Sequence, residues 1–145
     1  MAVNRIAGIE FNVAASCAVR SYREKLMDQP VPDVSENDVV RVVRRDFSPQ
    51  QFGTVMAILN EYGTEEWQRE CHRVRLAALK LAKGNLAAVR RQIDIAKLDY
   101  RDVLAPAEYP DYMGMVPPSG KTDESDRRKI ILSDWDQYQA WLKKE

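Results

Sequence analysis

Two apolar seams of helical period, set on either side of a single glycine turn, constrain this chain more than any other feature. Trp67, Cys71, Val74, Ala78 and Leu81 recur at alternating steps of four and three, and Leu86, Val89, Ile93, Ala96, Tyr100 and Val103 repeat the rhythm. Between them stand Lys83, Gly84 and Asn85. Glycine ends a helix by entering the left-handed region, and asparagine caps the next one with its side-chain oxygen. Thr64 is placed to cap the first helix, with Glu65 and Glu66 in the first turn, where negative charge complements the helix dipole. The spacing predicts an antiparallel αα-hairpin, about 64–83 and 86–104. Leu76 and Leu79 lie outside the first seam, so that helix has a second apolar face and is expected to be the most buried.

Shorter helices are expected around the hairpin. Ser35 or Asn37 can cap a segment containing Val39, Val40, Val42 and Val43; helix is favoured there, although four valines keep a strand reading open. Ser48, Pro49 and Gln51 form a capping-box pattern opening a helix through Phe52, Val55, Met56, Leu59 and Tyr62, which Gly63 ends. Ser133 with Asp136 reads as the start of a terminal helix, about 133–144, with Leu132, Trp135, Tyr138 and Leu142 along one stripe. Prolines and polar residues mark 106–126 as loop. Residues 6–27 read as an N-terminal helix ending before Pro30, so the expected organisation is a helix and linker over 1–35 and a helical domain over 36–145. The fold class that follows is all-α, a helical bundle built on the hairpin with shorter flanking helices.

Composition excludes several functions. Over 145 residues, 22 basic and 22 acidic side chains cancel, so no global field attracts polyphosphate. No stretch supplies the ~20 apolar residues of a membrane-spanning helix, so no membrane is expected as a partner. Two cysteines are too few for a disulfide framework, which points to a reducing, cytoplasmic setting. Ala14, Ala15 and Ser16 before Cys17 resemble a lipoprotein cleavage site, but Glu10 and Asn12 interrupt the apolar region that such a signal requires.

No catalytic, metal or cofactor residue is nominated. Glu70, Cys71 and His72 are consecutive, and consecutive helical side chains diverge by about 100°, so they do not converge on one atom. Cys71 falls on the seam, where burial raises a thiol pKa. Asp94, Asp99 and Asp102 interleave with Arg90, Lys97 and Arg101 as a surface ion-pair lattice does. The glycines are isolated, and none forms a phosphate loop.

Two surfaces remain. Tyr109, Tyr112 and Met113 lie among prolines, and Trp135, Tyr138 and Trp141 crowd the terminal helix; aromatic and methionine side chains of this kind are enriched at protein interfaces. Arg41, Arg44, Arg45, Arg69 and Arg73 could together form a local basic patch, with the Thr64 helix as a recognition element.

Thr64 to Tyr112, with its arginine-rich helix, the Lys83, Gly84, Asn85 turn, the Asp99, Tyr100, Arg101, Asp102 run and the Glu108, Tyr109, Pro110 ending, resembles small uncharacterised bacterial helical proteins. The resemblance covers about a third of the chain. It implies a bacterial, cytoplasmic, α-helical protein and brings no activity, cofactor or site residue.

The functional expectation is a non-enzymatic interaction or regulatory protein that binds another protein, or itself as a homodimer, through the aromatic C-terminal segment or an exposed face of the hairpin. A nucleic-acid binder using the arginines comes second. An enzyme whose site is assembled from distant residues comes third.

Overall fold

The computed structural model describes residues 29–114 and 123–145. The expected helix over 6–27 lies outside the described residues, as does the stretch 115–122 of the expected loop. The chain divides into Met1–Val31 and Pro32–Glu145, and the fold below is that of the second unit.

Among the described residues all regular structure is helical. The helices are α1 (Glu36–Asp46), α2 (Pro49–Leu59), α3 (Cys71–Ala82), α4 (Leu86–Leu98), α5 (Arg101–Glu108), α6 (Pro110–Gly114) and α7 (Glu124–Lys143). The valine-rich segment is helix. Ser35 caps it through a box with Asp38, whose carboxylate accepts the Ser35 backbone N–H at 2.9 Å. Ser48 and Gln51 form the same device at α2, with Pro49 in the first turn where no amide is needed. Asn85 Oδ1 accepts the Ala88 N–H at 2.9 Å and opens α4.

α3 is the centre of the bundle. Val74, Leu76, Ala77, Ala78, Leu79 and Ala82, half of its length, are buried, because it packs on α1, α4 and α5 at once. The sequence marks this through the two leucines outside the first seam. Val89, Ile93 and Ala96 of α4 and Val103 of α5 complete the core with Val39, Val42, Val43, Val55 and Leu59.

Both hairpin helices are shorter than their periodicity suggests. The first begins at Cys71, not at Thr64, because Gln68 closes the preceding segment into a loop. Its side-chain Oε1 accepts the N–H groups of Gly63, Thr64 and Glu65 at 2.7, 2.8 and 3.1 Å. These side-chain bonds gather the backbone into a tight turn and so offer it an alternative to helix. Glu70 then enters α3 from the left-handed region at φ 58°. Trp67 is consequently off the seam and half exposed, at 50%. The second helix breaks at Asp99, which is extended (φ −157°) and whose carboxylate accepts the Arg101 N–H at 3.0 Å. The chain restarts as α5, which carries Pro106 internally.

The terminal helix starts at Glu124, nine residues before Ser133, with Glu124 and Asp126 in its first turn. Its buried stripe is Ile131, Asp134, Tyr138 and Leu142. Leu132, expected inside, is half exposed at 50%. Asp134 displaces it because its carboxylate, fully buried, accepts the N–H groups of Asp111 (3.3 Å) and Tyr112 (2.9 Å) and so caps α6 from a distance. A polar side chain goes inside when it meets donors that would otherwise be orphaned.

Candidate functional site

The arginines of the expected basic patch are largely occupied by the protein itself. Arg41 NH2 donates to the Leu142 carbonyl at 2.8 Å, and Arg45 NH1 donates to the carbonyls of Trp141 and Lys144 at 2.7 and 2.8 Å. The last carbonyls of a helix have no intrahelical donor and carry its negative dipole end, so two guanidinium groups from α1 satisfy the end of α7. Arg45 also stacks over the Trp141 ring at 5.1 Å, and Arg44 over Phe52 at 5.2 Å. Arg73 is held by the buried Glu108. Of the five, Arg41, Arg44 and Arg69 are exposed, Arg69 in the loop before α3.

The aromatic residues expected at an interface divide differently. Tyr109 and Tyr138 are buried, at 6% and 1%, and Trp141 packs on the core beside Tyr138 with ring centroids 5.5 Å apart. Burial pushes the phenols of both tyrosines up. Tyr138 belongs to the buried stripe of α7, and Tyr109 is buried at the end of α5. Tyr112 and Trp135 are half-buried, and Met113 is exposed.

Cys71 is half-buried and its thiol donates to the Gln68 carbonyl at 3.5 Å. Nδ1 of His72 is buried without a hydrogen-bond partner among the described residues. No group of three or more His, Cys, Asp or Glu side chains among the described residues is arranged to hold a metal ion.

The exposed feature with the most structure behind it is the loop from Asn60 to Glu70. Besides the three bonds to Gln68, Tyr62 Oη donates to the Arg69 carbonyl at 2.9 Å. Arg75 reaches back from α3 to the carbonyls of Leu59 (3.1 Å) and Tyr62 (2.6 Å). Gly63 sits at φ 111°, and a Cβ there would lie 2.9 Å from both the Arg75 guanidinium and the Cys71 sulfur. Trp67 is thus presented from a segment fastened at both ends. Glu65, Glu66 and Arg69 are exposed beside it.

Tyr62, whose phenol burial raises to about 12, feels the charges of Glu70 and of Asp99 as well. That proximity brings the α4–α5 junction to the same end of the bundle as the loop. Leu98 at that junction is 88% exposed. Trp67 sits on a seam position, so no sequence signal marks it as exposed, whereas Leu98 lies off the second seam, on the face opposite Ala96 and Tyr100. Gln68, Glu108 and Asp134, which hold the local geometry, also carry no signal, because their partners are brought to them by the fold.

At the other end of α3 lies a notch of about 420 Å³ lined by Arg41, Arg45, Lys143, Lys144 and Glu145. Its arginines are already ion-paired, Arg41 with Asp38 at 3.4 Å and Arg45 with Asp46 at 2.7 Å.

Comparisons with protein-family models, curated proteins and solved structures find no match. Function therefore has to be argued from these two surfaces.

Proposed function

We propose that this chain is a non-enzymatic interaction protein that binds another protein through the end of the bundle carrying Trp67. The observation behind this reading is the half-exposed indole on a loop held by three hydrogen bonds to one side-chain oxygen. Exposing a tryptophan forgoes burial worth roughly 2–3 kcal/mol, and a loop already ordered loses little further entropy on binding. Rigid aromatic side chains near the centre of a contact are the usual energetic anchors of protein interfaces. Leu98 extends the apolar surface at the same end. The anchor thus moves from Tyr109, Tyr138 and Trp141, which serve the core, to Trp67.

A photo-crosslinking amino acid placed at position 67 tests this reading, with position 87 on α4, also exposed, as the control. Discrete adducts from 67 that are absent from 87, and lost when Gln68→Ala loosens the loop, are expected. Equal labelling from both positions would remove the basis for the proposal.

No described helix is long and apolar enough to cross a membrane. We assign the chain to the cytoplasm on the free thiol of Cys71, an assignment that fractionation of the native cell checks.

A further inference from the structure

We propose that the Trp67 end of the bundle docks a cationic segment of a partner protein, with an arginine or lysine head seated on the Trp67 indole beside Glu65 and Glu66 and an apolar side chain against Leu98. This deepens the reading above by naming the class of partner, and it rests on Trp67 being the docking element.

Tyr62 brings the two apolar groups to one end. Its phenol donates to the Arg69 carbonyl at 2.9 Å, in the loop that carries Trp67, and it feels the charges of Asp99 and Tyr100, which follow Leu98 in the chain. Trp67 is 50% exposed, and Leu98, at 88%, is the most exposed large apolar side chain among the described residues.

Charge at this end is one-sided, although the chain as a whole is neutral. Over residues 60–70, Glu61, Glu65, Glu66 and Glu70 stand against Arg69 alone. Glu61 is held by Arg90 and Lys97, Glu70 by Arg73 at 3.1 Å and Asp99 by Arg101 at 2.7 Å, so those acids are spent. Glu65, Glu66 and Asp102, which stands in the first turn of α5, are exposed and have no ion-pair partner among the described residues. Arg69 offsets one of the three. The charge left over beside Trp67 is therefore negative; it repels phosphate backbones, anionic lipid and acidic peptides and favours a cationic segment.

The indole asks for the same partner. The face of a tryptophan is the best aromatic seat for a cation, and the chain uses this chemistry internally, with Arg45 over Trp141 at 5.1 Å and Arg44 over Phe52 at 5.2 Å. Trp67 has no such cover among the described residues. A guanidinium laid on it meets the two neighbouring carboxylates as hydrogen-bond acceptors, and the stem of an arginine or lysine adds apolar contact. Gln68 fixes the loop through three amides before any partner arrives, so indole and carboxylates are presented together at little further entropic cost. One aromatic anchor with exposed carboxylates beside it makes a weak contact whose electrostatic part salt removes.

Titration of the full chain, followed by backbone amide NMR, with a pool of short capped peptides holding arginine and leucine in random order reads this directly. The same pool with citrulline in place of arginine keeps the shape of the side chain and loses its charge. The arginine pool is expected to shift the amide signals of residues 60–70 and 98–102 and to bind about tenfold more tightly than the citrulline pool at low ionic strength. That preference should vanish at ~1 M salt, where the Debye length is about 3 Å. Trp67→Ala, and separately the pair Glu65→Gln and Glu66→Gln, should each weaken the arginine pool about tenfold, while Glu145→Gln at the other end should leave it unchanged. All four side chains are exposed, and circular dichroism checks that the variants stay folded. Equal binding of the two pools, shifts spread over the acidic residues of every face, or an affinity that ignores Glu65 and Glu66 overturns the proposal. If the arginine pool fails to bind while position 67 crosslinks a protein, the cationic partner is wrong and the wider reading of Trp67 stands. If the pool fails to bind and position 67 crosslinks nothing, both fall.

Discussion

Arg73 grips Glu108 through two parallel hydrogen bonds, Nε to Oε2 and NH2 to Oε1, each 2.7 Å long, across 35 residues of sequence. The Glu108 side chain is 3% exposed and the Arg73 side chain 19%. The pair ties α3 to α5, and α5 in turn contacts α7. Bidentate geometry is the form in which an arginine best satisfies a buried carboxylate, and it leaves each group dependent on the other.

Removing one partner is therefore expected to cost more than removing both. Glu108→Gln leaves the Arg73 charge with only the exposed Glu70, at 3.1 Å, as an ionic partner and should lower unfolding stability by about 3 kcal/mol, while the double change Arg73→Met with Glu108→Leu should recover most of that loss. Urea denaturation of the three proteins decides it; equal losses for the single and double variants would mean that the pair adds nothing beyond packing.

Gln68 is expected to govern the order of the Trp67 loop. Gln68→Ala removes an acceptor shared by three amides, so hydrogen exchange at Gly63, Thr64 and Glu65 should accelerate, with a stability loss of about 1–3 kcal/mol. Unchanged exchange at those three amides would show that the loop is held by other contacts.

Two glycines should respond in opposite directions. Gly84 has φ 78° and its Cβ position is 3.2 Å from the Asp46 carbonyl, so Gly84→Ala should destabilise by about 1–2 kcal/mol. Gly53 lies inside α2 with nothing within 4 Å of its Cβ position, and Gly53→Ala should stabilise by about 0.5–1 kcal/mol. Thermal midpoints that shift the same way for both would contradict the assigned backbone conformations.

Acid sensitivity should be partly traceable to Glu61. Arg90 and Lys97 each hydrogen-bond its carboxylate at 2.7 Å and hold its pKa at about 2, down from 4.5. A carboxylate whose folded pKa is depressed contributes stability that is complete above pH 4.5 and is lost as pH falls toward 2. Glu61→Gln should flatten the stability curve in that window and leave its shape at neutral pH unchanged. A curve as steep as the wild type between those limits would place the acid sensitivity elsewhere.

The sequence alone pointed to helix as the regular structure of the described residues and located the boundaries that are capped locally. Ser35 with Asp38, Ser48 with Gln51, and Asn85 each cap a helix through neighbours three residues away, so their chemistry is complete within one turn and readable without a fold. Periodicity likewise located the buried faces of α3 and α4, since Val74, Ala78, Val89, Ile93 and Ala96 point inward in any packing that hides the apolar stripe. Periodicity failed where a side chain found a partner that it could not specify in advance. Gln68 gathers three amides into the loop that precedes the first hairpin helix, and Trp67 stands half exposed in that loop. Asp134 enters the core to cap α6 and pushes Leu132 out. Arg41 and Arg45 turn for the same reason to the carbonyls of α7, about a hundred residues away. Which polar groups are exposed depends on which orphaned donors and acceptors the fold brings near them, and only the tertiary structure decides that.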